Sequence, residues 1–572
     1  MAYTAPVSEL QFLFENIVGI DRLAGTDRFA EVTQDLRDAI LTEGAKMAQE
    51  VLAPLNRQGD LHPAYLENGV VRTSPGFAEG FKAIAEGGWL GIAADPEYGG
   101  MGLPQTLAVA MNEMMSSACL ALSLNPLMSQ GQIEALEHHA SDALKDIYLP
   151  KLISGEWCGT MNLTEPQAGS DVGALSSKAV SNGDGTYAVS GQKIFISWGD
   201  NDFSENICHL VLARLPDGVP GTKGISLFLV PKYLPDEDGK PGQANTLNVV
   251  SLEHKLGIHG SPTAVMEYDG ATGWLVGAEH AGMKAMFTMM NNARVGVATE
   301  GLGVAEAAYQ HALEFAQERK QGAGPIANGT GTILDHADVR RMLMSMKAQT
   351  NAARSIIYDT AVSIDLARAT GDKKMAARAA FLTPIAKAFG TDTGIEVASL
   401  GVQVHGGMGY IEETGAAQYL RDVRVTAIYE GTNGIQAMDL VGRKLMDQGQ
   451  AAFLLLSEIS QTVALAEENL PDLAAFLGAA EQGLIATTSW MLEQTDMNNR
   501  FAGAVPYLRA FALVLGGHYL LKAALAEGCK GPRTELARFF IRQQMIQYDA
   551  LCAQAREGQA SLYALNSDEL AG

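Results

Sequence analysis

The chain has 572 residues with 41 basic against 65 acidic side chains, and its formal net charge of −24 repels a polyanion such as nucleic acid. Hydrophobic residues make up 47%, enough over this length to bury more than one core. Five cysteines, Cys119, Cys158, Cys208, Cys529 and Cys552, stand far apart and lack the spacings that hold zinc or an iron–sulfur cluster, so neither disulfides nor a metal centre are expected.

The opening Met-Ala-Tyr-Thr-Ala-Pro has no basic stretch leading into an apolar run, so no secretory signal or Arg-rich transit peptide is expected, and a cytoplasmic protein is. From residue 31 to about 154, apolar residues recur at three- and four-residue steps (Leu36, Ile40, Met47, Val51; Leu107, Met111, Met114, Ala118). Breaks fall at Pro54, Gly59, Pro63 and Gly99-Gly100, and the pattern predicts helices. At Trp157 the pattern changes to short β-branched or aromatic runs, 187–197, 207–214, 224–231 and 263–268, separated by turn clusters such as Asn182-Gly-Asp-Gly185.

Beyond Gly282 the helical period returns over 282–320, 333–370, 374–404 and 430–445, with a Gly-rich loop at 321–332. In the second of these, Met342, Leu343, Met346, Ile356, Ile357 and Val362 form one stripe and Arg340, Arg341 and Lys347 lie opposite, the pattern of a helix bundle. A further helical run extends from 451 to about 557, broken at Pro471, Gly478, Gly516-Gly517 and Gly531-Pro532. Its most apolar stretch, 505–526, carries Arg509, His518 and Lys522, which hydrocarbon penalises heavily, so it reads as a buried or amphipathic helix and no membrane span is expected. The fold class is α+β, divided as an N-terminal extension (1–40), a helical domain (41–155), a central β domain (156–281), a helix bundle (282–446) and a C-terminal helical extension (447–572).

Three segments are candidates for chemistry. In Met161-Asn-Leu-Thr-Glu-Pro-Gln-Ala-Gly-Ser-Asp171, at the end of a strand, the Thr164 and Ser170 hydroxyls and loop N–H groups suit a carbonyl or phosphate, or the segment is an ordinary turn. In Val402-Gln-Val-His-Gly-Gly-Met-Gly-Tyr410, Gly406-Gly407 either admit a phosphate-bearing ligand or end a helix, and His405 reads as an interior histidine without a second metal ligand at helical spacing. In Ile428-Tyr-Glu-Gly-Thr-Asn-Gly-Ile435, Glu430 is either a general base, its pKa raised by apolar neighbours, or a cap for the helix that follows.

In order and wording these segments resemble the acyl-CoA dehydrogenase family. The likeness runs from about Leu52 to Lys444 and includes Tyr98-Gly-Gly-Met-Gly102, Thr164-Glu-Pro-Gln-Ala-Gly-Ser-Asp171, Gly191-Gln-Lys193, Gln403 with Gly406-Gly407, and Tyr429-Glu-Gly-Thr432. It implies an N-terminal helical domain, a central β-barrel-like domain and a C-terminal four-helix bundle, here with an extra C-terminal helical domain. It also implies FAD as cofactor, with Met161, Leu163 and Thr164 at the flavin ring and Phe195, Ile196 and Ser197 on its other side. Arg319 would reach the pyrophosphate of a neighbouring subunit's FAD, Gln403 to Gly407 its adenosine end, and Thr432 to Gly434 the diphosphate. Ser170, Asn291 and Arg294 would meet the CoA arm, with Tyr429 and Gly431 at the substrate beside the base, Glu430. A base position used by some subfamilies, next to Arg294, is Ala293 here.

The sequence departs from the family pattern in three places. Gln321-Gly322 follow Arg319-Lys320 where Phe-Gly is usual, Gly434 stands where a side-chain amide is frequent and leaves that hydrogen bond to Asn433 or to nothing, and the extension is absent from short members. The resemblance implies oxidation of an acyl-CoA to a trans-2-enoyl-CoA, electron-transfer flavoprotein as acceptor, and a homodimer. Both ends of the chain look like a bacterial branch acting on 3-(methylthio)propanoyl-CoA in dimethylsulfoniopropionate degradation or on short- and medium-chain fatty acyl-CoA; the former is preferred here. A DNA-associated flavoprotein of the same fold has a basic extension, which this acidic chain lacks, and a nitroalkane oxidase requires Asp at position 430.

Overall fold

Residues 3–572 are described by the computed structural model, and they fall into two units, one built on Ile40–Gly296 and the other on Pro6–Ala39 with Val297–Gly572. In the first unit the long helix α1 (Gln105–His139) has almost no exposed face, and nearly every side chain from Gln105 to Leu136, polar ones such as Asn112, Glu113 and Gln132 included, is buried. A helix buried all round is part of the core. It bends at Cys119, whose φ of −158° and ψ of 90° are not helical. Helix α2 (Asp142–Ser154) follows. The region expected to be wholly helical contains a small hairpin, Tyr65–Glu67 with Val70–Arg72. Asn68 and Gly69 turn it at φ 52° and 78°, the pair of positive angles that a two-residue turn between twisted strands demands.

The main sheet of the β domain comprises β1 (Trp157–Asn162), β2 (Lys178–Ser181), β3 (Tyr187–Ser197), β4 (Asn206–Arg214), β5 (Ile225–Pro231), β6 (Leu247–Leu252) and β7 (Thr263–Val276). Strands β7, β3, β2, β4 and β5 form a ring, closed between β2 and β4 by one parallel pair, Lys178 with Arg214; β6 adds to β7 and β1 pairs in parallel with β4. Residues alternate along β4 and β5. Leu210, Leu212, Leu227 and Leu229 join a core with Tyr148, Leu149 and Trp157, whereas Val211, Ala213, Phe228 and Val230 join a second with Val189, Ile196 and Met266. Burial on both faces explains why these strands read as unbroken apolar runs.

Helix α3 (Gly282–Glu318) starts hard against β5: a Cβ on Gly282 would lie 2.3 Å from the Ser226 carbonyl carbon and 2.5 Å from the Leu227 nitrogen. Backbone cannot yield as a side chain does. Gly282→Ala is therefore expected to destabilise the protein by about 1–3 kcal/mol, read as a lowered unfolding midpoint.

The second unit carries the end of α3, α4 (Ala337–Thr370), α5 (Lys373–His405) and α6 (Asn433–Asp439), followed by α7 (Gln450–Ala466), α8 (Pro471–Glu493) and α9 (Ala504–Ala526). Helices α3 and α5 cross closely. A Cβ on Gly301 would stand 2.5 Å from Gly390 O, and one on Gly390 2.7 Å from Ala298 O. The extension is stitched to the bundle by Arg378, which donates to Asp359 on α4 (2.5 Å) and to Glu458 on α7 (2.6 Å), while the Tyr519 hydroxyl on α9 donates to Asp359 (2.5 Å). The N-terminal segment packs in this same unit. Lys522 Nζ donates to Ile17 O (2.7 Å), and Arg533 pairs with Glu9 (2.6 Å) with its guanidinium 3.6 Å from the Phe12 ring centre. Helices α1 and α9 are long and apolar enough to cross a membrane, but their apolar windows are 100% and 83% buried within the protein.

Candidate active site

In the Ile40–Gly296 unit two segments lie side by side. The Ile194 N–H donates to Thr164 O (2.9 Å) and Lys193 Nζ donates to Leu163 O (3.0 Å), tying the end of β1 to β3. Between β3 and β7 the register shifts: Ile196 faces Ala264, but Lys193 faces Met266. The extra residue in β3 makes a bulge, and bulges re-aim side chains. Phe195 takes φ +60°, a left-handed conformation costly for a bulky residue, and its ring is 59% exposed. Ile196 is buried, and Ser197 and Thr164 are half-buried. Among the described residues neither of those two hydroxyls has a protein partner, so both can meet a ligand.

Beneath this wall lies a buried ion pair that the sequence reading quoted without assigning a role. Lys193 Nζ sits 2.8 Å from Glu165 Oε1, both side chains at 2% exposure or less. Glu165 also accepts from the amide and hydroxyl of Ser176 (2.7 and 2.9 Å), those of Ser177 (3.1 and 2.6 Å) and the Gln167 amide (2.7 Å). Burial alone would raise the Glu165 pKa; the Lys193 charge and these donors outweigh it and bring it down to about 2. The loop from Glu165 to Ser177 is thus cinched at both ends, with Ser170 exposed between them. The one available signal was Lys193 itself, charged at a position that alternation from Val189 assigns to the core.

The floor of β1 is another buried network, in which the Tyr268 hydroxyl donates to Asn162 (2.9 Å) and the Asn162 amide donates to Thr160 (2.8 Å). Burial pushes the His209 imidazole beside them down to about 3, so it is neutral. Met161 and Leu163 are half-buried against the core shared with Trp157. On α3, Arg294 is 6% exposed and donates to the exposed Asn291 (3.4 Å), and the Asn292 amide donates to Glu134 (2.6 Å).

In the other unit the turn before α6 holds Glu430 at φ +54° and Gly431 at φ +83°. Four hydrogen bonds pin it. The Tyr429 hydroxyl donates to Glu300, the Gln436 amide donates to Glu430 O (3.2 Å) and Gly431 O (3.4 Å), and Thr432 Oγ1 accepts from Ile435 N (3.1 Å). Thr432 is therefore the helix cap, and that role does not fall to Glu430. The helix expected over 430–445 starts only at Asn433. The Asn433 side chain faces inward, accepting from Lys387 (3.0 Å) and donating to Asp392 (2.7 Å), so it does not replace the amide that Gly434 lacks. A Cβ on Gly434 would meet only Thr432 Oγ1, at 3.6 Å. Thr432→Ala is expected to cost about 1 kcal/mol through the lost cap, measured by denaturant unfolding.

Gln403, Gly406 and Gly407 are exposed at the end of α5, with Gly406 at φ +60° and open space where either glycine would carry a Cβ. His405 is buried and its Nδ1 bonds Gly401 O (2.7 Å). Arg319 is exposed just past α3, its carbonyl accepting from Ile333 N (2.8 Å).

Comparison with known proteins matches four family models: "Acyl-CoA dehydrogenase, N-terminal domain" over 36–156, "middle domain" over 160–271, "C-terminal domain" over 280–446, and "Acetyl-CoA dehydrogenase C-terminal like" over 455–566. The chain is 43% identical to the 3-methylmercaptopropionyl-CoA dehydrogenase of Ruegeria pomeroyi, across 96% of this chain and 97% of that one. It is 34% identical to a butyryl-CoA dehydrogenase of Syntrophomonas wolfei, across 91% and 89%. A crystal structure of an acyl-CoA dehydrogenase complexed with FAD from Bacillus anthracis superposes with a TM-score of 0.76 over 98% of this chain and 93% of that one; at 20% identity it shows the fold alone.

Proposed function

Because this chain belongs to the acyl-CoA dehydrogenase family, we propose that it oxidises an acyl-CoA thioester to the trans-2-enoyl-CoA with Glu430 as base and FAD as cofactor. The observation that carries this reading is the acid at φ +54° in a turn already capped by Thr432. A strained glutamate persists only where its surroundings over-determine it, and such residues gather at reactive sites. The residues fit the cofactor: a re-aimed aromatic ring, two hydroxyls without protein partners, and two glycines with open space above them. FAD, when bound, supplies the acceptor that takes the β-hydrogen as hydride at N5.

The chain's own residues do the rest. The Glu430 carboxylate removes the α-proton, and its backbone N–H donates to the thioester oxygen where enolate charge grows, because a carboxylate in water is too weak a base for that carbon acid. Met161, Leu163, Thr164, Phe195, Ile196 and Ser197 orient the flavin ring, Thr432 and Gly434 approach its diphosphate, and Arg319, Gln403, Gly406 and Gly407 serve the cofactor of a second subunit in a homodimer. Ser170, Asn291 and Arg294 hold the CoA arm, with Tyr429 and Gly431 beside the acyl group.

The preferred substrate is 3-(methylthio)propanoyl-CoA, supported by the extent of the Ruegeria pomeroyi match. Electron-transfer flavoprotein is the proposed acceptor. Five free cysteines suit a reducing cytoplasm. The test is an anaerobic titration of the purified protein with 3-(methylthio)propanoyl-CoA, butanoyl-CoA and octanoyl-CoA, following the oxidised flavin band. The first is expected to bleach it at the lowest concentration; bleaching by butanoyl-CoA or octanoyl-CoA alone would reassign the substrate, and bleaching by none would remove the dehydrogenase reading.

A further inference from the structure

Tyr429, next to the base, gives its hydroxyl hydrogen to Glu300, an α3 carboxyl at 1% exposure whose Oε1 accepts no hydrogen bond from the described residues. Glu300 cannot withdraw, since the following residue, Gly301, is locked against Gly390 O and Thr391 Cα of α5. The charged groups facing it are Glu430 from the turn and Lys387 from α5, whose ammonium is also bound to Asn433. A glutamine would accept from Tyr429 equally well. An acid in that place does something more, because it puts a second titratable carboxyl within electrostatic reach of the first.

We infer, on the reading that Glu430 is the base, that Glu300 is a positioning residue for it: through Tyr429 it anchors the strained turn, and through its charge it sets how tightly Glu430 holds a proton. Burial raises the Glu300 pKa, the Glu430 charge adds to this, and the Tyr429 bond and Lys387 oppose it, leaving it at about 8. Below that pH Glu300 is neutral and acts as an anchor alone. Above it, the new negative charge repels that of Glu430, which becomes a stronger base, and charge leaving Glu430 during proton transfer is favoured. The rate of flavin reduction by substrate is therefore expected to rise above about pH 8. With about half of the added basicity expressed in the transition state, the rise is roughly threefold for each unit by which the base is strengthened.

The experiment is anaerobic stopped-flow reduction of the holoenzyme by 3-(methylthio)propanoyl-CoA from pH 6 to 10, in wild type, Glu300→Gln, Tyr429→Phe and Glu430→Gln. Glu300→Gln, which keeps the acceptor for Tyr429, is expected to bind FAD and lose the alkaline rise. Tyr429→Phe removes a bond that favours the ionised form of Glu300, so the rise moves to higher pH and the rate falls throughout. An alkaline rise that survives in Glu300→Gln, or stays in place in Tyr429→Phe, while Glu430→Gln is inert, overturns this inference and leaves the base assignment standing. Full reduction in Glu430→Gln removes both.

Discussion

Glu430→Gln is expected to keep its flavin and lose flavin reduction by acyl-CoA by a factor of about 10²–10⁴. The amide has nearly the shape of the carboxylate and retains the backbone N–H, so the turn held by Tyr429, Gln436 and Thr432 stays in place. What disappears is the proton acceptor. No second acid is available in the sequence at the other base position of the family, where Ala293 stands. The measurement is the initial rate of bleaching after anaerobic mixing, with thioester binding followed separately; normal reduction would assign the proton transfer to another group.

Lys193→Met is expected to destabilise the Ile40–Gly296 unit by about 3–5 kcal/mol, because it leaves the Glu165 carboxylate buried without its counter-charge. The loss also cuts the bond from Lys193 to Leu163 O, so the segment proposed to hold the flavin loosens, and bound flavin is expected to exchange faster. Its pH dependence follows from Glu165. That carboxyl is held down to about 2 from an ordinary value of 4.5, so the stability it confers is complete above about pH 4.5 and is lost as pH falls through about 2. The gap between wild type and variant therefore narrows in acid. A double variant, Lys193→Met with Glu165→Gln, is expected to recover part of the stability, since it removes the unpaired buried charge while the amide oxygen still accepts from Ser176 and Ser177. It would not recover flavin retention. Unfolding midpoints with flavin fluorescence separate the two effects.

These two variants also mark what a sequence discloses. Glu430 stood out as the candidate base because the Tyr429-Glu-Gly-Thr432 wording is local, and β4 and β5 were legible because burial on both faces writes a continuous apolar run. Strand β2, Lys-Ala-Val-Ser, was missed because four alternating residues carry too little pattern, and β6 because the adjacent Val249 and Val250, one buried and one exposed, break its alternation. The hairpin at Asn68-Gly69 did carry its turn signal, but it sat within a helical stretch. The Phe195 bulge is invisible in Phe-Ile-Ser, since what forces φ +60° is the register against β7. Glu165 with Lys193 and Tyr429 with Glu300 are partners chosen by the fold, 28 and 129 residues apart, and no local spacing announces them. Asn433 is the clearest case: of the two alternatives open for the bond that Gly434 lacks, one was its side chain, and that side chain is bound to Lys387, 46 residues away.

The docking of the N-terminal segment sets an order of events during synthesis. Lys522 and Arg533 grip Ile17 and Glu9 across separations of 505 and 524 residues. Ile17 and Glu9 meet these two partners only after most of the intervening chain has been made, whereas Phe14 already has a ring partner in Tyr358. While the Ile40–Gly296 unit has its residues early and can fold as it emerges, the unit that holds Glu430 is discontinuous in sequence and can close only later. In the interval the N-terminal segment is incompletely covered, the kind of apolar surface that chaperones bind, and a nascent chain stalled short of residue 522 would lack the Lys522 and Arg533 contacts.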